Sequence, residues 1–162
     1  MTVAESAGTV ALVINRTGTL TATNTLAYAI RAGTATAADL TITNGVLTFA
    51  PNATNATLTI PITNDTVVES NEVFSVVLSN PSSGAHLSGT NTAYVTITET
   101  DVGLAFSAAT YSVSEAGTNI VLTVVQKGDL SATVTVDWAT AGSGATAGSR
   151  FMSTNGTWAL GA

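Results

Sequence analysis

The chain has 162 residues but no cysteine, only four basic residues and few aromatic side chains. The absence of cysteine excludes disulfides, thiolate metal sites and cysteine nucleophiles. The formal net charge is −6, and such a chain cannot build the cationic face that phosphate backbones require, so we expect no nucleic acid partner. No apolar run approaches the roughly 20 residues that cross a bilayer, so we also expect no membrane span.

Hydrophobic residues make up 45% of the chain and charged residues only 9%, which leaves enough apolar material for a folded core. Runs that alternate apolar and polar residues recur about every ten residues, with turn-forming residues between them. The runs are TVALVI at 9–14, TLAYAI at 25–30, VLTF at 46–49, ATLTIPI at 56–62, VFSVVL at 73–78 and AYVTIT at 93–98. This spacing predicts an all-β fold, a seven-stranded antiparallel sandwich of the immunoglobulin-like type.

The pattern begins again after Asp101, with a period of about 110 residues. EAGT at 115–118, followed by NIVLTVVQKG, repeats ESAGT at 5–9, followed by VALVINRTG. We therefore predict one sandwich over residues 1–101, whose first strand is short or missing, and a truncated second sandwich over residues 102–162.

Most acidic residues lie in the first copy, each at a strand end or in a connection between strands. They are Glu5, Asp39, Asp65, Glu69, Glu72, Glu99 and Asp101. Connections at one end of a sandwich converge in space, so these carboxylates can share one end. Crowded carboxylates repel one another, and Ca²⁺ relieves this well because it accepts about six to eight oxygen ligands in irregular geometry. The alternative is that turns simply prefer Asp and that scattered Glu keeps edge strands soluble.

The order of these blocks resembles the Calx-beta domain family. The matching blocks are GTATAAD at 33–39, GVLTFAP at 45–51, ITNDTVVESNEVFSVVLSNP at 62–81 and AYVTITETD at 93–101, and the match continues in the second copy. Calx-beta domains are seven-stranded sandwiches of sodium/calcium exchangers, integrin tails and bacterial surface proteins, and many bind Ca²⁺ at the tip that holds the acidic loops. The resemblance implies that the seven acids named above bind calcium, with the Val67 carbonyl as a further ligand.

Composition and resemblance together predict a calcium-binding module of a secreted or cell-surface protein, serving adhesion or rigid spacing between tandem domains. An extracellular location fits the threonine-rich, lysine-poor composition. The alternative is a self-assembling structural subunit, in which strands of a neighbouring copy complete the second sandwich through exposed strand edges.

Nothing in the sequence pairs a nucleophile with a base, so we expect the chain not to be an enzyme. His86 is the only histidine, and a single loop histidine is more often a surface residue than a catalytic one. Glu69 and Glu72 could form the carboxylate pair of a glycosidase, but the aromatic residues that would stack on sugars are few. Trp138 and Trp158 are expected to pack in a core or an interface.

Overall fold

The computed structural model describes residues 1–161 and consists of strands, connections and one short helical turn. It divides into two compact units, of which the first is Met1–Thr100 and the second begins at Asp101. We call them unit 1 and unit 2 and describe each by itself. Within residues 1–161 no helix has the length and apolar character needed to pass through a membrane.

Unit 1 is a sandwich of two sheets. Its strands are β1 (Thr2–Ala4), β2 (Thr9–Asn15), β3 (Asn24–Ala32), β4 (Asn44–Phe49), β5 (Asn55–Pro61), β6 (Glu72–Ser79) and β7 (Thr92–Thr98). The larger sheet has the order β1-β7-β6-β3-β4, and β2 pairs with β5 in the other. The predicted all-β sandwich is confirmed, and the alternating runs of the first copy correspond to β2 through β7.

One pairing in unit 1 differs from the predicted antiparallel arrangement, since β1 runs parallel to β7. A 3-10 turn, Glu5–Ala7, follows β1 and leads the chain from the larger sheet to β2 in the smaller one. Gly8 ends this turn in the left-handed region with φ 72°, and its N–H donates to the Glu5 carbonyl. Glycine adopts this conformation without the steric cost that a side chain would add. Three residues of β1 are too few to show alternation, so its direction was not predictable.

The core of unit 1 lies between the two sheets, because alternate side chains of each strand point to the interior. The buried core residues of the sheets include Val10, Leu58 and Ile60 from the smaller sheet, and Ile30, Leu47, Phe74, Val76, Val95 and Ile97 from the larger. Pro61 ends β5 opposite Thr9, and the neighbouring Ile62 N–H donates to the Gly8 carbonyl. The Pro61 nitrogen therefore faces away from β2, where its missing N–H interrupts no pairing.

Unit 2 contains two antiparallel strand pairs. In the first, β8 (Val102–Phe106) pairs with β9 (Val124–Gly128), and in the second, β10 (Val134–Ala139) pairs with β11 (Asn155–Leu160). Trp138 and Trp158 stack on the second pair, with ring centroids 5.2 Å apart and planes inclined by 27°. Both indoles are half-buried, and no described residue of unit 2 is fully buried. This arrangement agrees with the predicted partial second sandwich.

Candidate metal centre

The acidic end of unit 1 is where β3, β5 and β7 finish and β6 begins. Asp39 lies in the connection after β3, and the adjacent Leu40 forms a β-bridge with Ile62, one residue beyond β5. The Asp39 carbonyl also accepts a hydrogen bond of 2.8 Å from the Thr63 N–H. These two contacts fix the connection that carries Asp39 against the end of the smaller sheet.

Asp39 is the only buried polar or charged residue among the described residues, with a relative exposure of 8%. Its Oδ2 accepts hydrogen bonds from the Thr36 N–H at 2.6 Å and from the Thr36 hydroxyl at 2.9 Å. Burial raises the pKa of Asp39, but the hydrogen bonds from Thr36 and from Glu72 outweigh burial, and the net pKa is lowered. Asp39 is therefore a carboxylate at neutral pH.

Glu72, the first residue of β6, lies beside Asp39 and Glu69. One carboxylate oxygen from each of these three residues lies within 4.8 Å of the other two. Burial, the hydrogen bond with Asp39 and the negative charges of Asp39, Glu69 and Glu5 raise the pKa of Glu72 to about 7. Without a cation Glu72 therefore keeps its proton at pH values well above those at which a glutamate usually loses it. This proton lies in the hydrogen bond to Asp39.

Glu69 is exposed and lies in the connection between β5 and β6. Its pKa is raised, first by desolvation and then by the negative charges of Asp39, Asp65 and Glu99. The charges that raise the Glu69 and Glu72 pKa values all belong to carboxylates. A cation here would remove this repulsion.

Glu5 and Asp65 form a second close pair of carboxylates in unit 1, with oxygens within 4.8 Å of each other. Glu5 Oε1 accepts a 2.9 Å hydrogen bond from the Asp65 N–H, so the helical turn after β1 is tied to the connection after β5. Asp65 Oδ1 accepts a 2.7 Å hydrogen bond from the Val67 N–H, and this bond closes a local turn of the kind that aspartate favours. Val67 is thereby fixed next to Asp65, although its side chain is exposed.

Glu99 follows β7 directly and connects this strand end to the acidic connection. Its Oε2 accepts a hydrogen bond from the Glu69 N–H, and its Oε1 accepts one of 2.7 Å from the Thr100 N–H. The Glu99 N–H donates to Asn71 Oδ1 at 3.1 Å. Asp101, also predicted as a ligand, is the first residue of unit 2, and its role stays a prediction.

Sequence reasoning missed two residues that hold this end together, Thr36 and Asn71. The spacing of Thr36 three residues before Asp39 is a signal for a local side-chain hydrogen bond and could have been used. Nothing in the sequence distinguishes Asn71 from the other asparagines of the chain.

The structure brings six of the predicted ligand side chains to one end of unit 1. They are Glu5, Asp39, Asp65, Glu69, Glu72 and Glu99. Two oxygens bound to the same Ca²⁺ ion at about 2.4 Å each are at most about 5 Å apart. The spacing of these carboxylate oxygens therefore suits shared binding of a hard cation after modest side-chain rotation.

The fold and these carboxylates define a β-sandwich with an acidic tip. The chain belongs to the Calx-beta domain family, whose sequence profile matches residues 1–101 and again residues 99–160. The prediction made from the sequence blocks is confirmed.

Solved structures support the same assignment. The calcium binding domain CBD12 of CALX1.1 is 25% identical to this chain, with a TM-score of 0.65, over 99% of this chain and 67% of that one. CBD12 from CALX1.2 is 27% identical, with a TM-score of 0.64 and the same coverage. The apo form of the Calx CBD1 domain is 32% identical, with a TM-score of 0.57, over 59% of this chain and 86% of that one. No curated protein is significantly similar to the chain.

Proposed function

We propose that this chain is a calcium-binding module whose site is the acidic end of unit 1. The observation that carries the proposal is the cluster of Asp39, Glu69 and Glu72, whose carboxylate oxygens lie within 4.8 Å of one another. Burial and the repulsion from neighbouring carboxylates raise the pKa of Glu72 to about 7, and a bound cation would relieve this repulsion. The relative CBD12 of CALX1.1, described as a calcium binding domain, supports Ca²⁺ as the cation.

The two groups of carboxylates suggest two neighbouring ions. We assign Asp39, Glu69 and Glu72 to one ion, because these side chains already share one space. We assign Glu5 and Asp65 to a second ion. Glu99 accepts the Glu69 N–H and lies where it can serve either ion. The Val67 carbonyl completes the proposed ligand set within unit 1.

Thermal unfolding tests this proposal directly. The chain is melted in excess chelator, in millimolar Ca²⁺ and in millimolar Mg²⁺, and we expect a rise in Tm that is specific to Ca²⁺. At a calcium concentration about ten times Kd the gain in stability is about 1.4 kcal/mol. Glu72→Gln should lose most of this gain, whereas the matched substitution Asp137→Asn in unit 2 should keep it. An equal Tm in chelator and in Ca²⁺ would contradict the proposal.

We further propose that the module serves adhesion or spacing in a secreted or cell-surface protein. Extracellular modules bind Ca²⁺ with Kd values of about 10⁻⁴ to 10⁻³ M, which millimolar calcium outside cells can fill. Glu99 lies two residues before the start of unit 2, so an ion bound there would fix the chain just before the junction. Calcium should then slow proteolysis at residues 100–103, and an unchanged cleavage rate would argue against a spacing role.

A binding role rather than catalysis is proposed because the only histidine is remote from the acids within unit 1. His86 lies in the connection between β6 and β7, at the end of the sandwich opposite Asp39 and Glu72. A histidine placed there cannot act as a base together with these carboxylates. Incubation with generic ester and glycoside substrates should give no turnover above the buffer rate.

Self-association is a second proposed property, supported by uncovered apolar side chains of unit 2. Phe106, Val121 and Met152 have relative exposures of 57%, 80% and 86%. Large exposed apolar side chains favour contact with another copy. Sedimentation equilibrium over a wide concentration range tests this property, and a monomer throughout would exclude it.

A further inference from the structure

The connection that follows β3 is held against the start of β6, next to Glu72. Beyond the end of β3, both backbone groups of Val73 bond to this connection. The Val73 N–H donates to the Thr34 hydroxyl oxygen at 2.8 Å, and the Val73 carbonyl accepts the Ala35 N–H at 3.1 Å. A Cβ at Gly33 would collide with the same carbonyl, so this close approach requires glycine. The connection is therefore fixed beside Glu72 before it reaches Asp39.

Within this connection Thr36 holds the carboxylate of Asp39. The Thr36 N–H and the Thr36 hydroxyl both donate to Oδ2, at 2.6 Å and 2.9 Å. A threonine hydroxyl has one proton to donate and two lone pairs that accept. Its proton is used in the bond to Oδ2, and its oxygen accepts the Ala38 N–H at 3.1 Å. The direction of the hydroxyl is therefore set by both of these neighbours.

Asp39 is held by its backbone as well as by its side chain. Its carbonyl accepts the Thr63 N–H, and the adjacent Leu40 is buried and bridges to Ile62. Rotation of the carboxylate would break both bonds from Thr36, and at 8% exposure little water can replace them. The orientation of the Asp39 carboxylate is therefore fixed without a cation.

The bonds from Thr36 leave the other carboxylate oxygen of Asp39, Oδ1, outside their contact. Asp39 contributes one oxygen to the cluster with Glu69 and Glu72, in which the oxygens lie within 4.8 Å of one another. A residue that bonds to a metal-binding side chain fixes the orientation of that side chain. Its substitution usually reduces metal affinity about 10- to 100-fold.

We propose that Thr36 is a positioning residue of the calcium site, which keeps Asp39 Oδ2 in two hydrogen bonds and leaves Oδ1 to bind the ion. This inference rests on the proposed function and adds to it a residue that does not itself bind the ion. Thr36 acts by preorganisation, because the Asp39 carboxylate loses less conformational freedom on binding when its orientation is already fixed.

Isothermal titration calorimetry of the full chain with Ca²⁺ tests the proposal. Thr36→Val removes the hydroxyl and keeps the branched shape, and we expect Kd to rise about tenfold, since the N–H bond to Oδ2 remains. Thr36→Ser keeps the hydroxyl and should recover most of the affinity. Thr146→Val makes the same change in unit 2, where residues 145–147 repeat the sequence ATA of residues 35–37, and should leave Kd unchanged.

Thermal unfolding of the same variants separates positioning from a merely structural role. A structural role alone would lower Tm equally in chelator and in Ca²⁺, whereas a positioning role should also reduce the difference between the two. Equal Kd values for Thr36→Val and Thr146→Val would overturn the proposal, as would a Thr36→Ser variant as weak as Thr36→Val. Absence of Ca²⁺ binding by the unmodified chain would overturn the proposed function itself, and this inference with it.

A measurement on the unmodified chain covers the case in which Thr36→Val does not fold, which circular dichroism checks. Exchange of the Thr36 amide hydrogen with solvent is followed by nuclear magnetic resonance in chelator and in Ca²⁺. If Oδ2 stays bonded to Thr36, this amide should exchange as slowly in Ca²⁺ as in chelator, or more slowly. Faster exchange in Ca²⁺ would show that Oδ2 leaves Thr36 for the ion, and this would overturn the proposal.

Discussion

Unit 1 and unit 2 repeat the same sequence pattern, yet among the described residues only those of unit 1 form a buried core. The buried hydrophobic residues of the described chain all lie between Val10 and Ile97. In unit 2, residues as large as Phe106 and Met152 remain more than half exposed. Strand pairing therefore depends on a few adjacent segments, whereas burial depends on two sheets facing each other.

The second pair of strands in unit 2 shows how similar the local pairing is. Tyr28 of β3 lies opposite Gly45 of β4, and Trp138 of β10 lies opposite Gly156 of β11. In both cases an aromatic ring covers the glycine across the strands. Cross-strand pairs of this kind help to fix register. Both units thus have an aromatic residue opposite a glycine that helps to fix the register of a strand pair. They differ in what packs against the face of that pair.

The largest expected effect is the loss of a core side chain from unit 1. Phe74 has a relative exposure of 0%, so Phe74→Ala removes a fully buried ring and should destabilise unit 1 by about 3–5 kcal/mol. The matched substitution Phe106→Ala in unit 2 removes a ring that is already exposed and should cost about 1 kcal/mol or less. Urea unfolding monitored by far-UV circular dichroism measures both.

Both tryptophans lie in unit 2, so tryptophan fluorescence reports on that unit alone. Phe74→Ala should shift the circular dichroism transition much more than the fluorescence transition. Equal losses from Phe74→Ala and Phe106→Ala would contradict the contrast in burial between the units.

Much of the fold was predictable because alternation of apolar residues is a local property. The runs at 9–14 and 73–78, for example, became β2 and β6. The repeat also predicts a strand across Ile120 and Leu122, the counterparts of Val10 and Leu12, but the observed strand begins at Val124. In unit 1 those positions pair with β5, and no segment of residues 101–161 pairs with them in unit 2. Whether a strand forms depends on a partner that local pattern does not reveal.

The candidate site was predictable in its residues but not in its geometry. The rarity of charge elsewhere in the first copy made Asp39 and Glu72 stand out. Their different protonation could not be predicted, because it depends on the Thr36 hydrogen bonds to Asp39 and on the burial of Glu72. The resemblance to a family supplied the cation, which the residues alone left open.

The next largest effect is a pH dependence that only unit 1 should show. The pKa of Glu72 is raised from 4.5 to about 7 in the folded chain. The folded state therefore binds more protons than the unfolded state between these values, and stability falls as pH rises from 4.5 to 7. The loss in the free energy of unfolding is at most about 3 kcal/mol. We expect a smaller loss, because Glu72 is partly exposed and solvent screens its interactions.

Urea unfolding in chelator at pH 5 and pH 7.5 measures this dependence. Glu72→Gln should show a flatter profile, because the amide mimics the protonated acid and can still donate to Asp39. The pKa of Asp39 is lowered, so the stability that the Asp39 carboxylate contributes is lost only at acidic pH, below the ordinary aspartate pKa of 3.8. Parallel profiles for Glu72→Gln and the unmodified chain would show that Glu72 is not the titrating group.

A smaller effect compares the two covered glycines. A Cβ at Gly45 would lie 2.6 Å from the Tyr28 hydroxyl oxygen, whereas a Cβ at Gly156 would lie 3.1 Å from the Trp138 ring. Gly45→Ala should therefore displace the tyrosine ring and cost about 1 kcal/mol, whereas Gly156→Ala should cost only a few tenths. Urea unfolding followed by circular dichroism and by tryptophan fluorescence separates the two. A larger cost for Gly156→Ala would reverse the expected order.

The smallest expected effect concerns the indole pair of unit 2. Trp138 and Trp158 lie 5.2 Å apart in a stacked arrangement, which is worth about 0.5–1.5 kcal/mol beyond the area that the rings bury. Trp158→Phe keeps an aromatic ring on β11, so it should cost less than this and leave the strand pair formed. The near-UV and far-UV circular dichroism signal from coupled indoles should nevertheless disappear. The indole pair is closer than the other ring contact described in unit 2, that of Phe106 with Tyr111. An unchanged indole signal would show that the stack does not form in solution.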